Sequence, residues 1–176
     1  MRSKDALSVS IGVLGGVATL LTATVFTIPV WVVFIAWASF FIVGGGTAGF
    51  VKSVASNLTG IAIASLTLLV IAGAGGGAVV AAIAVGVGSA AMVQASKVGL
   101  LSTIPAIVWG FASTVGTVAA TGNEITTASI SNPALIAATA MIVGASFGIV
   151  SEMLRTALTT RTEPDTTPAP ASGGQS

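Results

Sequence analysis

An all-α membrane fold with six crossings is predicted by three features of this chain. The first is the near absence of charge. Between Leu7 and Ser151 the only ionisable side chains are Lys52, Lys97 and Glu124. A soluble domain keeps about a quarter of its residues charged, whereas each Lys, Arg or Asp at the centre of a membrane helix costs about 2.5–3.5 kcal/mol. The second is composition: 54% hydrophobic and 6% charged, with mean hydropathy +1.04. The third is punctuation. Gly, Pro, Ser and Asn interrupt the apolar sequence at intervals near the ~20 residues that a crossing helix needs.

The spans predicted in order are 7–26, 30–46, 56–73, 78–96, 100–120 and 133–154. Arg2 and Lys4 followed by an apolar run resemble a signal peptide. Asp5 interrupts that basic start, no small-x-small cleavage site follows, and apolar sequence continues, so this segment reads as the first span. Thr27-Ile28-Pro29 turns into the second. Gly44-Gly45-Gly46, then Lys52-Ser53, separate it from the third. Gly73 to Gly77 divides third from fourth, and Ser96-Lys97 divides fourth from fifth. The longest loop opens at Thr121-Gly122-Asn123-Glu124 and closes at Ser131-Asn132-Pro133. Pro133 suits a first helical turn, where a missing N–H costs nothing.

Six spans put Arg2, Lys4, Lys52, Lys97, Arg155 and Arg161 on one side and leave Glu124 alone on the other. The positive-inside rule then predicts cytoplasmic termini. Five or seven spans split the basic residues between faces. Residues 1–155 therefore read as one six-helix transmembrane domain. Residues 156–176, rich in Thr, Pro and Gly, read as a disordered cytoplasmic tail.

The halves 7–73 and 78–154 echo each other. Ile11-Gly12-Val13 matches Val85-Gly86-Val87, Ile28-Pro29 matches Ile104-Pro105, Trp37-Ala38-Ser39 matches Phe111-Ala112-Ser113, and Ser56-Asn57 matches Ser131-Asn132. The offsets are 74 to 76 residues. Three spans per half is an odd number, so the pattern predicts a 3+3 inverted repeat, an architecture that places solute sites at the repeat interface.

At Trp37-Ala38-Ser39-Phe40-Phe41, Gly44-Gly45-Gly46, Ser56-Asn57-Leu58-Thr59-Gly60 and Ile104-Pro105-Ala106 the chain resembles the small bacterial inner-membrane proteins typified by YcdZ, a family of unknown function. The resemblance implies a multi-pass protein of the bacterial inner membrane. It carries no catalytic or binding residues with it.

Absence of Cys and His removes thiol chemistry, Cys/His metal sites and His relays. A net charge of +1 gives nucleic acid no purchase. With no buried acid, base or nucleophile, enzymatic function, a cofactor and a metal site are not expected, nor is proton coupling. The second and fifth spans carry the most chemistry. Seven of the ten aromatics lie between Phe26 and Phe50, and Trp37, Ser39 and Phe40 stand among them. Thr103, Pro105, Trp109, Phe111 and Ser113 stand in the fifth span. Rings with a few hydroxyls suit a narrow path for a small neutral polar solute. Pro105 would free the Leu101 carbonyl and break the helix around Thr103–Trp109. Asn57 and Asn132, read at matched helix starts, are cap or path candidates. Glu152 and Arg155 read as a surface i,i+3 pair. Gly12, Gly15, Gly16, Gly86 and Gly88 form small-residue faces that favour helix association and a dimer or trimer.

The expected function is a channel or facilitated transporter for a small neutral solute of the urea or amide kind, with lipid as the other partner. The alternatives are a non-transport scaffold or accessory subunit, and a cation channel using backbone carbonyls at the glycine breaks.

Overall fold

The computed structural model describes residues 3–159. The tail expected at 156–176 lies mostly outside them, as do Arg2 and Arg161. Helices form at α1 (Ser3–Thr24), α2 (Val30–Ile42), α3 (Gly46–Gly73), α4 (Ala78–Ala95), α5 (Ile104–Thr121) and α6 (Pro133–Leu158), with a 3-10 turn at Gly99–Leu101. Five of them are long and apolar enough to cross a membrane. The chain is thus a multi-pass, all-α membrane protein. The sixth, α2, has only 13 residues, about 20 Å of helix against ~30 Å of hydrocarbon. Six equal spans are therefore corrected to five long helices and a short one. Pro29 precedes α2, and Gly44, Gly45 and Gly46 stop it with φ of 109°, 68° and 62°, a region costly for any side chain.

Two other boundaries move. α3 begins at Gly46 and runs straight through Lys52-Ser53. Those residues read as a break because they are polar, yet Ser53 is fully buried and hydrogen-bonded. α5 is unbroken from Ile104 to Thr121, with Pro105 in its first turn. Leu101 lies in the preceding 3-10 turn. The expected break around Thr103–Trp109 is absent because a first-turn N–H has no helical partner to lose.

α3 and α6 pack on each other at the centre. α3 also carries α5 and α4, α6 carries α2 and α1, and α2 touches α5. Contacts near the helix ends fix their directions. Ser10 Oγ donates to the Ser151 carbonyl (2.8 Å) and Gly46 N donates to Glu152 Oε2 (2.8 Å). Hence the start of α1, the start of α3 and the end of α6 gather at one end. Leu68 and Ile71 of α3 line a cavity with Val118 of α5, so these two helices also finish together.

Of the expected glycines, Gly88 sits close to α3 and α5, a Cβ there lying 2.7 Å from Thr67 Oγ1 and 3.3 Å from Phe111, while the backbone-to-backbone approaches use others. A Cβ on Gly60 would press on the Ile107 carbonyl oxygen and lie 2.7 Å from Phe111 N, and one on Gly110 would press on the Asn57 carbonyl. Gly144 meets the Val33 backbone in the same way. Gly12, Gly16 and Gly86 have nothing within 4 Å. Only bare backbone lets helix axes come this near.

Candidate functional site

Most helical hydroxyls here donate to the carbonyl one turn back, as Thr59, Thr67, Thr114 and Thr117 do. Three interior polar residues where α2 meets α3 bond to one another instead. Ser53 Oγ donates to Ser39 Oγ (2.8 Å), Ser39 Oγ donates to Asn57 Oδ1 (3.1 Å), and Asn57 Nδ2 donates to Ser53 Oγ (3.3 Å). All three are fully buried. The i,i+4 spacing of Ser53 and Asn57 puts both on the face of α3 that meets α2. The ring satisfies its members without a charge, as buried polar groups in lipid require.

Two further hydroxyls, Ser56 Oγ and Ser113 Oγ, are buried and without a hydrogen-bond partner among the described residues.

The remaining candidates are dispersed. Trp37 is buried between α2 and α6, its Nε1 donating to Ser151 Oγ (3.1 Å), with Phe34 and Phe147 rings at 6.0 and 5.6 Å. Phe40 is fully buried and seats against Gly148. Phe111 packs with Ala64, Met92 and Ile107. Trp109 is half-buried against the α2–α6 apolar cluster. Thr103 is half-buried and Pro105 exposed at the start of α5. Neither the 440 Å³ groove between α3 and α4 nor the 480 Å³ cavity at the far end of α3 is lined by any candidate. The structure thus joins Ser39 to Asn57, adds Ser53, which sequence reasoning took for a loop, and leaves the aromatics in helix contacts.

The two asparagines differ. Asn132 is the α6 cap: its Oδ1 accepts from Ala134 N (2.8 Å) and its Nδ2 holds the Ile125 and Thr127 carbonyls. Asn57 lies eleven residues inside α3 and caps nothing, which corrects its reading as a helix start.

Glu152 is also reassigned. Its carboxylate accepts from Gly46 N at the amino end of α3, where the helix dipole favours negative charge. Nothing pairs it with Arg155. Glu152→Ala is therefore expected to lower stability by about 0.3–1 kcal/mol, roughly 1–3 °C in thermal unfolding in detergent. Arg155→Ala is expected to leave the midpoint in place. Equal losses from both would restore the i,i+3 pair.

The helices and their buried uncharged cluster define a polytopic α-helical membrane protein. The chain belongs to the protein family of unknown function DUF1097, whose model matches residues 8–156. That match takes in the helical bundle. No curated protein and no solved structure matches the chain.

Proposed function

We propose that the chain crosses the bacterial inner membrane six times as two inverted three-helix halves, and carries a small neutral polar solute through their interface without proton coupling. Burial patterns support the repeat. In α2 the buried positions are Val32, Val33, Ala36, Trp37, Ser39 and Phe40. In α5 Ala106, Ile107, Gly110, Phe111, Ser113 and Thr114 are buried, each 74 residues on (106 − 32 = 74). The eight buried positions of α3, from Gly49 to Thr67, recur in α6 from Pro133 to Ser151 at a constant 84 (133 − 49 = 84). The step falls in the loop 122–132, whose counterpart is only residues 43–45. The match of Ser56-Asn57 to Ser131-Asn132 is thus one of composition, and the partner of Asn57 is Met141.

The sixth crossing is supported by chain direction. α1 and α3 start at the same end of the bundle, so α2 must bring the chain back. Lys4, Lys52, Lys97 and Arg155 then share one face, which the positive-inside rule makes cytoplasmic for both termini. The resemblance to YcdZ-like proteins favours the inner membrane.

The observation that carries the transport reading is the Ser39–Ser53–Asn57 ring. It is uncharged and buried, and its Asn57 lies directly against Gly110 near the middle of α3. Inverted repeats place neutral-solute chemistry at this depth, and the close packing around it makes the conformation a closed one. Stopped-flow shrink–swell traces on proteoliposomes are the test. Urea and acetamide are expected to re-enter several-fold faster than in empty vesicles, and Asn57→Ala is expected to return the rate to background. Traces that match empty vesicles for both solutes end the transport reading. The scaffold reading then takes its place, favoured by the burial of Trp37, Phe40 and Phe111 in helix contacts.

A further inference from the structure

The burial pattern of the repeat extends to the outer helices. α1 buries Ala6, Ser10 and Ala18, and 74 residues on (80 − 6 = 74) α4 half-buries Val80 and buries Ala84 and Met92. α1 lies on α6 as α4 lies on α3. The two packings are fastened differently. Ser151 clasps the first: its carbonyl accepts from Ser10 Oγ (2.8 Å) and its hydroxyl accepts from Trp37 Nε1 (3.1 Å). In the second half Thr67, Ala84 and Phe111 stand in those places (151 − 67 = 84; 84 − 10 = 74; 111 − 37 = 74). Ala84 and Phe111 have no side-chain donor, and Thr67 Oγ1 returns to its own helix at the Ile63 carbonyl (2.8 Å). Side-chain bulk falls as well. Gly88 stands where α1 has Leu14, and Ile63 where α6 has Phe147. The second half therefore lacks both the clasp and the filling, and at these same residues a 440 Å³ groove opens between α3 and α4.

The chemistry and length of the groove select its occupant. Thr67 is its one lining residue with a polar side chain, and that hydroxyl is already committed. A polar solute entering it would leave its own groups unpaired, whereas a hydrocarbon chain asks for no partner. On α4 the groove runs from Val80 to Ala91, about 16 Å of helix. That is half of the ~30 Å hydrocarbon core, the reach of one leaflet. Its volume suits a single ligand. Inside lipid no hydrophobic gain distinguishes one apolar surface from another, so a held chain is held by van der Waals fit.

We propose that the α3–α4 groove holds one acyl chain of a membrane phospholipid, seated where Leu14 and Phe147 fill the first half. This inference rests on the membrane placement and the repeat, and it stands apart from transport.

Native mass spectrometry of the full chain tests it. The protein is released from detergent containing dipalmitoyl phosphatidylcholine or dipalmitoyl phosphatidylglycerol, with activation that strips loosely held lipid. Wild type is expected to keep one phospholipid per chain, of either headgroup alike, because no charged side chain lines the groove. Ala91→Phe and Val87→Phe place a ring in the groove from two positions, and each is expected to keep none. Their thermal midpoints are expected to hold or rise, because the ring fills open space. Val85→Phe, on the same helix but outside the groove lining, is expected to keep the lipid. Wild type that keeps no lipid overturns the inference, as do ring variants that keep one. Retention of one headgroup only also overturns it, since the headgroup and not the chain would then be recognised. A wild-type dimer that Ala91→Phe converts to monomer puts a second copy in the groove instead. Lipid loss with a lowered midpoint in both ring variants overturns it too, since α3 and α4 would have parted. Each of these results leaves the urea traces to decide transport.

Discussion

Gly60→Val is expected to eliminate folded protein: detergent extracts should yield aggregate, with no monodisperse peak and no cooperative thermal transition. The new Cβ would press on the Ile107 carbonyl oxygen and sit 2.7 Å from Phe111 N. Both are backbone atoms, so no rotamer change relieves the contact. α3 and α5 must part, and parting them also opens the Asn57–Gly110 approach one turn away and unseats Ile107 and Phe111 from the apolar cluster with Ala64 and Met92. Overpacking that side chains can absorb costs about 1–3 kcal/mol. Here the separation of a whole helix pair is added, against a total stability of order 5–15 kcal/mol. Gly110→Val is expected to fail in the same way from the opposite side. Gly86→Val is the control. It has open space around it and is expected to stay within about 0.5 kcal/mol of the parent. A well-behaved Gly60→Val protein would mean that these helices do not meet where their glycines place them.

The membrane class was legible because charge is a one-residue property. Lys52, Lys97 and Glu124 can be counted without knowing what any residue touches. Local stop signals were legible too. Pro133 and Asn132 open α6 as expected, and Gly122 ends α5 in a left-handed conformation. Less legible were features whose physics is non-local. Lys52-Ser53 looked like a loop because Ser39, the partner that makes Ser53 acceptable in a helix interior, lies on another helix. The aromatic run of α2 was read for a solute path, and its contacts to Gly148 through Phe40 and to Ser151 through Trp37, each more than a hundred residues away, carry no local signal. Glycine faces on α1 and α4 drew attention by density, whereas close approach is decided by which single glycine opposes another backbone. Gly60 and Gly110, alone in their neighbourhoods, gave no such signal.

The site was half legible for a related reason. Ser39 and Asn57 were both singled out, Asn57 as a helix start, because a short polar residue before an apolar run is an N-cap signature. With α3 extended back to Gly46 the same residue becomes an interior amide, and its role changes from ending a helix to joining two. Periodicity carried the missing information. Ser53, Asn57, Gly60 and Ala64 recur at three- and four-residue steps, the stripe of one continuous helix.

Asn57→Asp is expected to turn this interior position into a pH-dependent liability. The carboxyl is nearly the same shape as the amide. Protonated, it still donates and accepts, so the ring with Ser39 and Ser53 can persist. Ionised, it loses its donor and places a charge at a fully buried position, at a cost of about 2.5–3.5 kcal/mol on insertion scales. Burial disfavours the charged form. The folded variant then holds a proton that the unfolded chain releases. Its stability is intact in acid and is lost as pH rises and the buried carboxyl ionises. Thermal midpoints of variant and parent in detergent are expected to lie close together in acid and to differ by about 5–14 °C at pH 8. Asn123→Asp, in the α5–α6 connection, is expected to show no such divergence. A flat difference between Asn57→Asp and parent across pH would place Asn57 in contact with water, and the uncharged ring would then be the wall of an open aqueous path instead of the heart of a closed one.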